Sequence, residues 1–217
     1  MHVPGVFRLC FLALIVAAAV LRPAQAEDTA QAEDTAQAED TAQAEDTAQA
    51  EDMGRVVELL DLPRHAALMR HATAPGTGDP DHFRLNDCTT QRNLSEAGRA
   101  EARETGRLLR AAGLAEALVL TSRWCRATDT ARELDLGEVD PFPPLDSFFR
   151  DRSREDAVRR DILARIAERK AGDPPLIMVS HQVNITAVTG IFPASGEIVV
   201  VEVLPDGTAA VRARLSP

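Results

Sequence analysis

The sequence predicts an α/β domain of three layers, a mostly parallel sheet with helices on both faces. Three observations predict it. Apolar runs of strand length lie at 66–69, 117–121 and 176–179, and the last is apolar throughout, as a parallel strand covered on both faces should be. Between them come segments with helical spacing, such as Val158, Ile162 and Ile166 at i, i+4 and i+8 with Leu163 beside them. Each run also ends in polar residues on its C-terminal side, where open parallel sheets carry their chemistry: Arg70-His71, Ser122 and Ser180-His181.

Ahead of this domain stand two segments of different character. Residues 1–26 have the form of a secretory signal. His2 and Arg8 lie at the start, 10–21 is unbroken apolar sequence, and Ala24-Gln25-Ala26 is a small-x-small cleavage site. The apolar run is too short for a spanning helix, which needs about 20 residues, so no stable membrane span is expected after processing. Cys10 precedes the core of the run and is badly placed for lipid attachment. The mature chain is therefore expected in the periplasm or secreted. Residues 27–52 belong to a tandem hexapeptide, Ala-Glu-Asp-Thr-Ala-Gln, which starts at Ala26, runs four times to Gln49 and begins again at Ala50-Glu51-Asp52. A period of six matches no helical face, and alanine is its one apolar residue type, so the tail is expected to be disordered or an isolated helix. Ten of the chain's 34 carboxylates and none of its 24 Lys and Arg side chains lie between Glu27 and Asp52. The formal charge of −10 thus belongs largely to the tail, and the rest is near neutral. No basic surface for nucleic acid is present. The tail reads as a solvated spacer, or else as an acidic arm for a protein partner of unknown kind.

The domain itself is expected over 53–217. Residues 56–62 form an apolar lead-in. The first strand ends at Arg70-His71, where Pro75, Gly76 and Gly78 begin a loop that continues through Asp87. Ser95 is a good N-cap for a helix running to Ala112 and ended by Gly113, with Leu108, Leu109 and Ala112 towards the core. After the strand at 117–121, Ser122 is placed to cap a helix over 123–134. Ser153 is placed to cap a third helix, which 172–175 (Gly-Asp-Pro-Pro) breaks. After the strand at 176–179 a helical segment spans 184–190. A closing hairpin is expected from 198–204, the turn 205–208 and 209–215. Arg64-His65-Ala66 repeats the letters of Arg70-His71-Ala72, but it precedes its strand and falls at the opposite sheet edge. His71 is therefore the candidate, and His65 is read as a surface histidine.

Two histidines and two or three arginines gathered at one sheet edge would make a compact cationic pocket suited to a phosphoryl group. Arginine forks match phosphate oxygens in bidentate geometry. The helix after Ser122 adds backbone N–H groups and its positive dipole end. One histidine can attack phosphorus, and the other can donate to the equatorial oxygens in the transition state. Nearby Arg70 and Arg126 should disfavour a second positive charge on His71, leaving it free to attack.

Four stretches, in order, carry a resemblance: Leu68-Met69-Arg70-His71-Ala72; Asn93-Leu94-Ser95-Glu96-Ala97-Gly98-Arg99-Ala100; 120–131, from Leu120-Thr121-Ser122-Arg123-Trp124-Cys125-Arg126 to Thr130-Ala131; and Val179-Ser180-His181. Together they resemble the histidine phosphatase superfamily, with its phosphoglycerate-mutase-like fold, over about 53–191 of this chain. The resemblance implies a metal-free and cofactor-free phosphoryl-transfer site. His71 would be the phosphorylated nucleophile, and Arg70, Arg126 and His181 would bind the phosphoryl group. Ser122, Thr130 and Ala131 stand at the family's spacing around Arg126, which makes Arg126 a better match than Arg123. Hydrolysis would pass through a phosphohistidine.

The chain departs from the pattern in three places. Ala72 replaces a usual glycine, a change expected to be tolerated. Asp146 is the best-placed carboxylate for the general acid of mutase-like members, with Asp151 second, yet Asp146 serves equally well as a turn cap. Gln182 follows the second histidine where the acid-phosphatase branch often has aspartate. Gln182 and Asn184 are candidates for the pocket wall, and Arg92 and Arg123 for a broader cationic rim. Trp124 is read as packing and His82 as a solvated loop residue. Cys88 and Cys125 are the mature chain's cysteines, and in an exported protein such a pair reads as a disulfide, with two buried free thiols the alternative. No His or Cys spacing suits zinc. The function expected is an exported phosphatase acting on a phosphomonoester or phosphoramidate. The alternatives are a catalytically inactive phosphate-binding protein on the same fold, or a structural protein whose acidic repeat is the functional part. Export disfavours a mutase of glycolytic intermediates.

Overall fold

The computed structural model describes residues 1, 43 and 47–216. The signal segment beyond Met1, and the repeat apart from 43 and 47–52, lie outside the described residues. By its contacts Glu45–Pro217 forms one compact unit, and it carries the architecture that follows.

Residues 47–60 are helical and form α1. The expected apolar lead-in is thus the end of a helix that begins inside the repeat. Met53, Val56 and Leu60 are buried at i, i+3 and i+7, whereas 47–52 are exposed except for half-buried Gln49. Ala, Glu and Gln favour helix, but burial of the Met53 stripe against the domain is what holds this one.

The remaining elements are β1 (His65–Arg70), α2 (Glu96–Ala111), β2 (Leu118–Thr121), α3 (Cys125–Leu134), β3 (Val139–Pro141), α4 (Glu155–Ala167), β4 (Leu176–Ser180), α5 (Gln182–Thr189), β5 (Ile198–Val203) and β6 (Ala209–Leu215). They build a six-stranded sheet of order β3-β2-β4-β1-β5-β6. The strands β3, β2, β4 and β1 are parallel, and the hairpin β5–β6 closes the sheet antiparallel to β1. Alternate residues serve opposite faces, as the two-residue period of a strand requires. Ala67 and Met69 pack with Met53, Leu109, Ala131 and Ile177, while Ala66 and Leu68 pack with Val158, Ile162, Val183 and Met178. Helices α1, α2 and α3 therefore cover one face, and α4 and α5 the other. This is the three-layer, mostly parallel architecture expected. Among the described residues no helix is long and apolar enough to cross a membrane.

Several local expectations change. Strand β3 was not anticipated; three residues, Val139-Asp140-Pro141, are too few to give a periodic signal, and pairing with β2 makes them a strand. Helix α3 starts at Cys125, because Trp124 is extended at the N-cap position and Ser122 is turned elsewhere. Ser153 does not cap α4. It lies in a 3₁₀ turn capped by Asp151, whose carboxylate accepts from the Ser153 N–H, and the N-cap of α4 is Arg154. The buried face of α2 is set by Gly98, Ala102, Thr105, Gly106 and Leu109, with Leu108 and Ala112 half-buried. His65 is at the opposite strand end as expected, yet it is 5% exposed and not a surface residue. It faces Glu202 of β5, and its Nδ1 hydrogen-bonds the Pro63 carbonyl at 2.9 Å.

Helix α2 approaches its neighbours closely through glycine. A Cβ on Gly98 would stand 2.1 Å from the Thr73 carbonyl oxygen, and one on Gly106 would stand 1.9 Å from that of Leu134. Ser95 caps the same end, accepting from the Gly98 N–H at 3.0 Å. Both contacts are to backbone, which cannot swing aside. Gly98→Ala is therefore expected to destabilise the domain by about 2–3 kcal/mol, the cost of overpacking, and to displace the backbone just after His71. Urea unfolding checks the first effect, and the second appears as a loss of phosphate-analogue affinity larger than that of the twin substitution Gly106→Ala.

Candidate active site

Three parallel strands deliver the site. The β1–β4 register pairs Arg70 with Ser180, and the β2–β4 register pairs Thr121 with Val179. His71, Ser122 and His181, each one residue further on, therefore emerge at one edge. Backbone bonds continue the ladder there: His71 N–H donates to the Ser180 carbonyl at 2.9 Å and Ser122 N–H to that of Val179 at 3.0 Å. The first turn of α3, immediately beyond, carries Arg126.

These groups meet as side chains. The imidazoles of His71 and His181 stand edge to face, with ring centroids 5.4 Å apart. Arg126 lies between them. Its Nε donates to His71 Nε2 at 3.1 Å, and its Nη2 is 3.5 Å from His181 Nδ1. His71 Nδ1 faces its neighbour's carbonyl, Ala72 O, at 2.8 Å. A carbonyl only accepts, so this bond places the proton on Nδ1 and leaves the lone pair on Nε2, where it accepts from Arg126 Nε. The backbone after His71 is held in turn by Thr130, whose hydroxyl accepts from the Ala72 N–H at 3.0 Å and donates to the Arg126 carbonyl at 2.7 Å. Ala72 is fully buried without disturbing this arrangement.

Burial and the positive field of Arg126 push the His71 pKa down to about 3. Burial, then Arg126 and His71, hold His181 well below its ordinary value. Both rings are neutral at neutral pH. Burial followed by the charge of Arg126 also lowers Arg70, and lowers Arg92 to about 10. Arg70 Nη1 donates to the Pro193 carbonyl at 2.9 Å, while its buried Nε has no partner. An orphan guanidinium N–H at such a depth costs free energy until an acceptor arrives.

Behind His181 runs a polar chain. Ser122 Oγ lies 2.8 Å from His181 Nε2 and 3.4 Å from Asp146 Oδ1. Asp146 is 1% exposed, and its oxygens accept from the Arg123 backbone N–H at 2.8 Å and from the Arg123 guanidinium at 2.8 Å and 2.5 Å. Asp146 and Arg123 thus grip each other outside the cavity wall, and Arg123 does not broaden the cationic rim. Asn184 also stays outside, donating to the carbonyls of Pro144 and Asp146. Asp151 is exposed and spent on capping its turn, and His82 is exposed.

The residues that do line the cavity, of about 580 Å³, include Arg70, His71, Arg126, His181, Arg92 and Gln182. Gln182 turns its amide nitrogen to the Thr186 hydroxyl at 2.8 Å. Two residues of the wall were missed or misread in the sequence. Trp124 is not mere packing; its indole N–H donates to Asp79 at 3.0 Å. Asp79 is, among the described residues, the carboxylate that lines the cavity, and it sits in the fork of Arg126 at 2.7 Å and 3.3 Å. Burial opposes its charge, but the bonds from Arg126 and Trp124 prevail and hold its pKa below the ordinary value. The one available signal was Gly-Asp-Pro in a glycine-rich loop facing the strand ends, which alone marks any turn.

Cys88 and Cys125 are joined in a disulfide, with Cα atoms 5.7 Å apart. It ties the loop carrying Asp79 and Arg92 to the start of α3. Gln91 reinforces the tie, accepting from the Cys125 N–H at 2.9 Å and donating to the Arg84 and Leu85 carbonyls. Among the described residues no group of three His, Cys, Asp or Glu side chains is arranged to hold a metal ion.

No family model matches the sequence, and no curated protein matches it. Solved structures do. One is a mycobacterial glucosyl-3-phosphoglycerate phosphatase, Rv2419c, in complex with VO3, at 17% identity over 69% of this chain and 98% of that one, with a TM-score of 0.51. Another is the product of the open reading frame Rv3214 from Mycobacterium tuberculosis, at 16% identity over 69% and 95%, with a TM-score of 0.50. The protein histidine phosphatase SixA complexed with tungstate is also similar, at 19% identity over 70% and 97%, with a TM-score of 0.49. The strand order, the covered sheet and the first two likenesses agree in fold with what the motif resemblance implies, a phosphoglycerate-mutase-like domain.

Proposed function

We propose that this protein is a phosphatase that hydrolyses a phosphomonoester or phosphoramidate through a phosphohistidine on His71. One observation carries the reading. His71 Nε2 is left unprotonated and accepts from Arg126 Nε in a cavity that His71, Arg126, Arg70 and His181 all line.

The incoming phosphoryl group takes the fork of Arg126 and the orphan N–H of Arg70, so Asp79 must leave Arg126, and Arg126 Nε must release His71 Nε2. His71 Nε2 attacks phosphorus in line; the N–P bond forms as the bond to the leaving group breaks. His181, backed by Ser122 and fixed by the Asp146–Arg123 pair, is placed to donate from Nδ1 to an equatorial oxygen once the phosphoryl charge draws a proton there. Asp146 acts as a positioning residue in this scheme, since Arg123 occupies its oxygens. Asp79, freed from Arg126 and facing a new negative charge, sits where its pKa rises, and it carries the proton to the leaving group. Water then attacks the phosphohistidine, gives its proton to Asp79, and releases phosphate and His71.

Export is part of the proposal. The signal-like segment 1–26 and the Cys88–Cys125 bridge both support an oxidising compartment, and the acidic repeat is read as a spacer. A second reading, a non-catalytic phosphate-binding protein, is favoured by the closed Asp79–Arg126 pair. Trapping the phosphoenzyme separates the two.

His71→Ala is expected to abolish turnover of p-nitrophenyl phosphate and to remove the acid-labile phosphoenzyme seen after rapid quenching; a variant working at the wild-type rate refutes the nucleophile. Asp79→Asn is expected to tighten inhibition by orthovanadate about 10-fold, because a competitor for Arg126 is weakened, and to lower kcat about 100-fold, because the proton carrier is lost. Steady-state kinetics with vanadate as inhibitor reads both. The depressed histidines also set the pH dependence of stability. A histidine kept neutral in the fold is protonated first in the unfolded chain, so its contribution is complete above pH 6.5 and is lost as the pH falls towards about 3. The melting temperature of the ligand-free protein should fall through that window, and less steeply in His71→Asn.

A further inference from the structure

The cavity is far larger than a phosphoryl group needs, and its outer part is built differently from its floor. Phe83 stacks on Trp124 with ring centroids 5.1 Å apart and an interplanar angle of 22°. Trp124 in turn stands edge-on to His181 at 5.5 Å, so this aromatic wall begins directly beside the phosphoryl position. Across the mouth are Phe149, 56% exposed, and Phe192, 73% exposed. Both are large apolar side chains left in water on the rim of a concave site, which is where an apolar ligand part would cover them.

Several polar groups of the same region are already engaged. Gln182 donates to Thr186 at 2.8 Å, and Thr186 donates to the Ile191 carbonyl at 2.6 Å. The Ser147 hydroxyl accepts from the Phe149 N–H at 3.4 Å, and the Trp124 indole N–H is held by Asp79. The remaining charged groups of the mouth are cations: Arg150, whose Nη2 donates to the Asp79 carbonyl at 2.6 Å, and Arg152. Hydroxyl groups of a sugar or short polyol would have to compete for polar groups that are in part engaged already. Asp79 is the one carboxylate among the lining residues, and Arg126 and Trp124 occupy it.

We propose that the outer cavity is a subsite for an apolar leaving group, an aryl or alkyl moiety bonded to the phosphate. The inference rests on the phosphatase reading for its use in catalysis, but the subsite is defined by binding. Phe83 and Trp124 offer a flat face to the part of the substrate nearest phosphorus, and Phe149 and Phe192 cover what extends beyond.

The test uses phosphonates, which bind without being hydrolysed. Trp124 is the chain's single tryptophan, so intrinsic fluorescence reports occupancy of this wall. Phenylphosphonate and octylphosphonate are expected to bind at least about 10-fold more tightly than methylphosphonate, as burial of one ring or chain predicts. The double variant Phe149→Ala, Phe192→Ala, altered at exposed positions that the fold does not need, should bring those affinity ratios towards one. Tighter phenylphosphonate assigns a ring as the natural group, and tighter octylphosphonate a chain. Equal affinities for all three ligands in the wild-type protein, or ratios unmoved in the double variant, overturn the subsite. A protein that binds in the expected order yet turns over no ester keeps the subsite and refutes the phosphatase. Turnover of phosphate esters without any such preference does the reverse.

Discussion

The register of three parallel strands is the constraint on which the site depends. Pairing Arg70 with Ser180 and Thr121 with Val179 brings residues 71, 122 and 181, far apart in sequence, to one edge. A slip of one residue in either ladder would turn the polar pair into the core and put an apolar residue in the cavity. Burial on both faces prevents that slip: Ala67 and Met69 are committed to one core, and Ala66 and Leu68 to the other. The same packing that stabilises the sheet therefore fixes the distance between the two imidazoles. The geometry of the site is inherited from hydrophobic register.

Electrostatics at this edge follow from how little water reaches it. Arg126 is 3% exposed, and His71 and His181 are 2% and 4% exposed, so a second positive charge on either ring would be buried beside the guanidinium. Neutral histidines beside buried guanidinium groups are thus a consequence of enclosure. Asp79 is the provisional counter-ion. Its loop is pinned by the disulfide, by Gln91 and by Arg150, so the carboxylate stays near the floor whether or not it holds Arg126.

Asp146 shows how position alone misleads. It stands where a proton donor was sought, and its buried carboxylate is within reach of Ser122, yet Arg123 and its backbone N–H take up its oxygens. A carboxylate so paired orients its neighbours. Arg123 makes the complementary lesson: an arginine three residues before Arg126 has the right charge, but a different backbone direction, and it serves the support instead of the pocket.

Much of this was legible in the chain. Apolar runs of strand length, helical spacing between them and polar residues at their C-terminal ends are local patterns, and they sufficed for the α/β class, the hairpin, the helix capped by Ser95, and the choice of His71 over His65. The pairing of Cys88 with Cys125 followed from there being two cysteines in the domain. What the tertiary structure alone decided concerns partners. Whether Asp79 or Asp146 faces the cavity, whether His65 is exposed, whether 56–60 is a lead-in or a helix, and whether Trp124 packs or lines a wall all depend on which groups lie across space. Sequence records the period with which a chain alternates faces; it does not record what another segment places opposite each face. Burial, pairing and charge compensation are properties of that second segment as much as of the first, and they exist only once the strands have met.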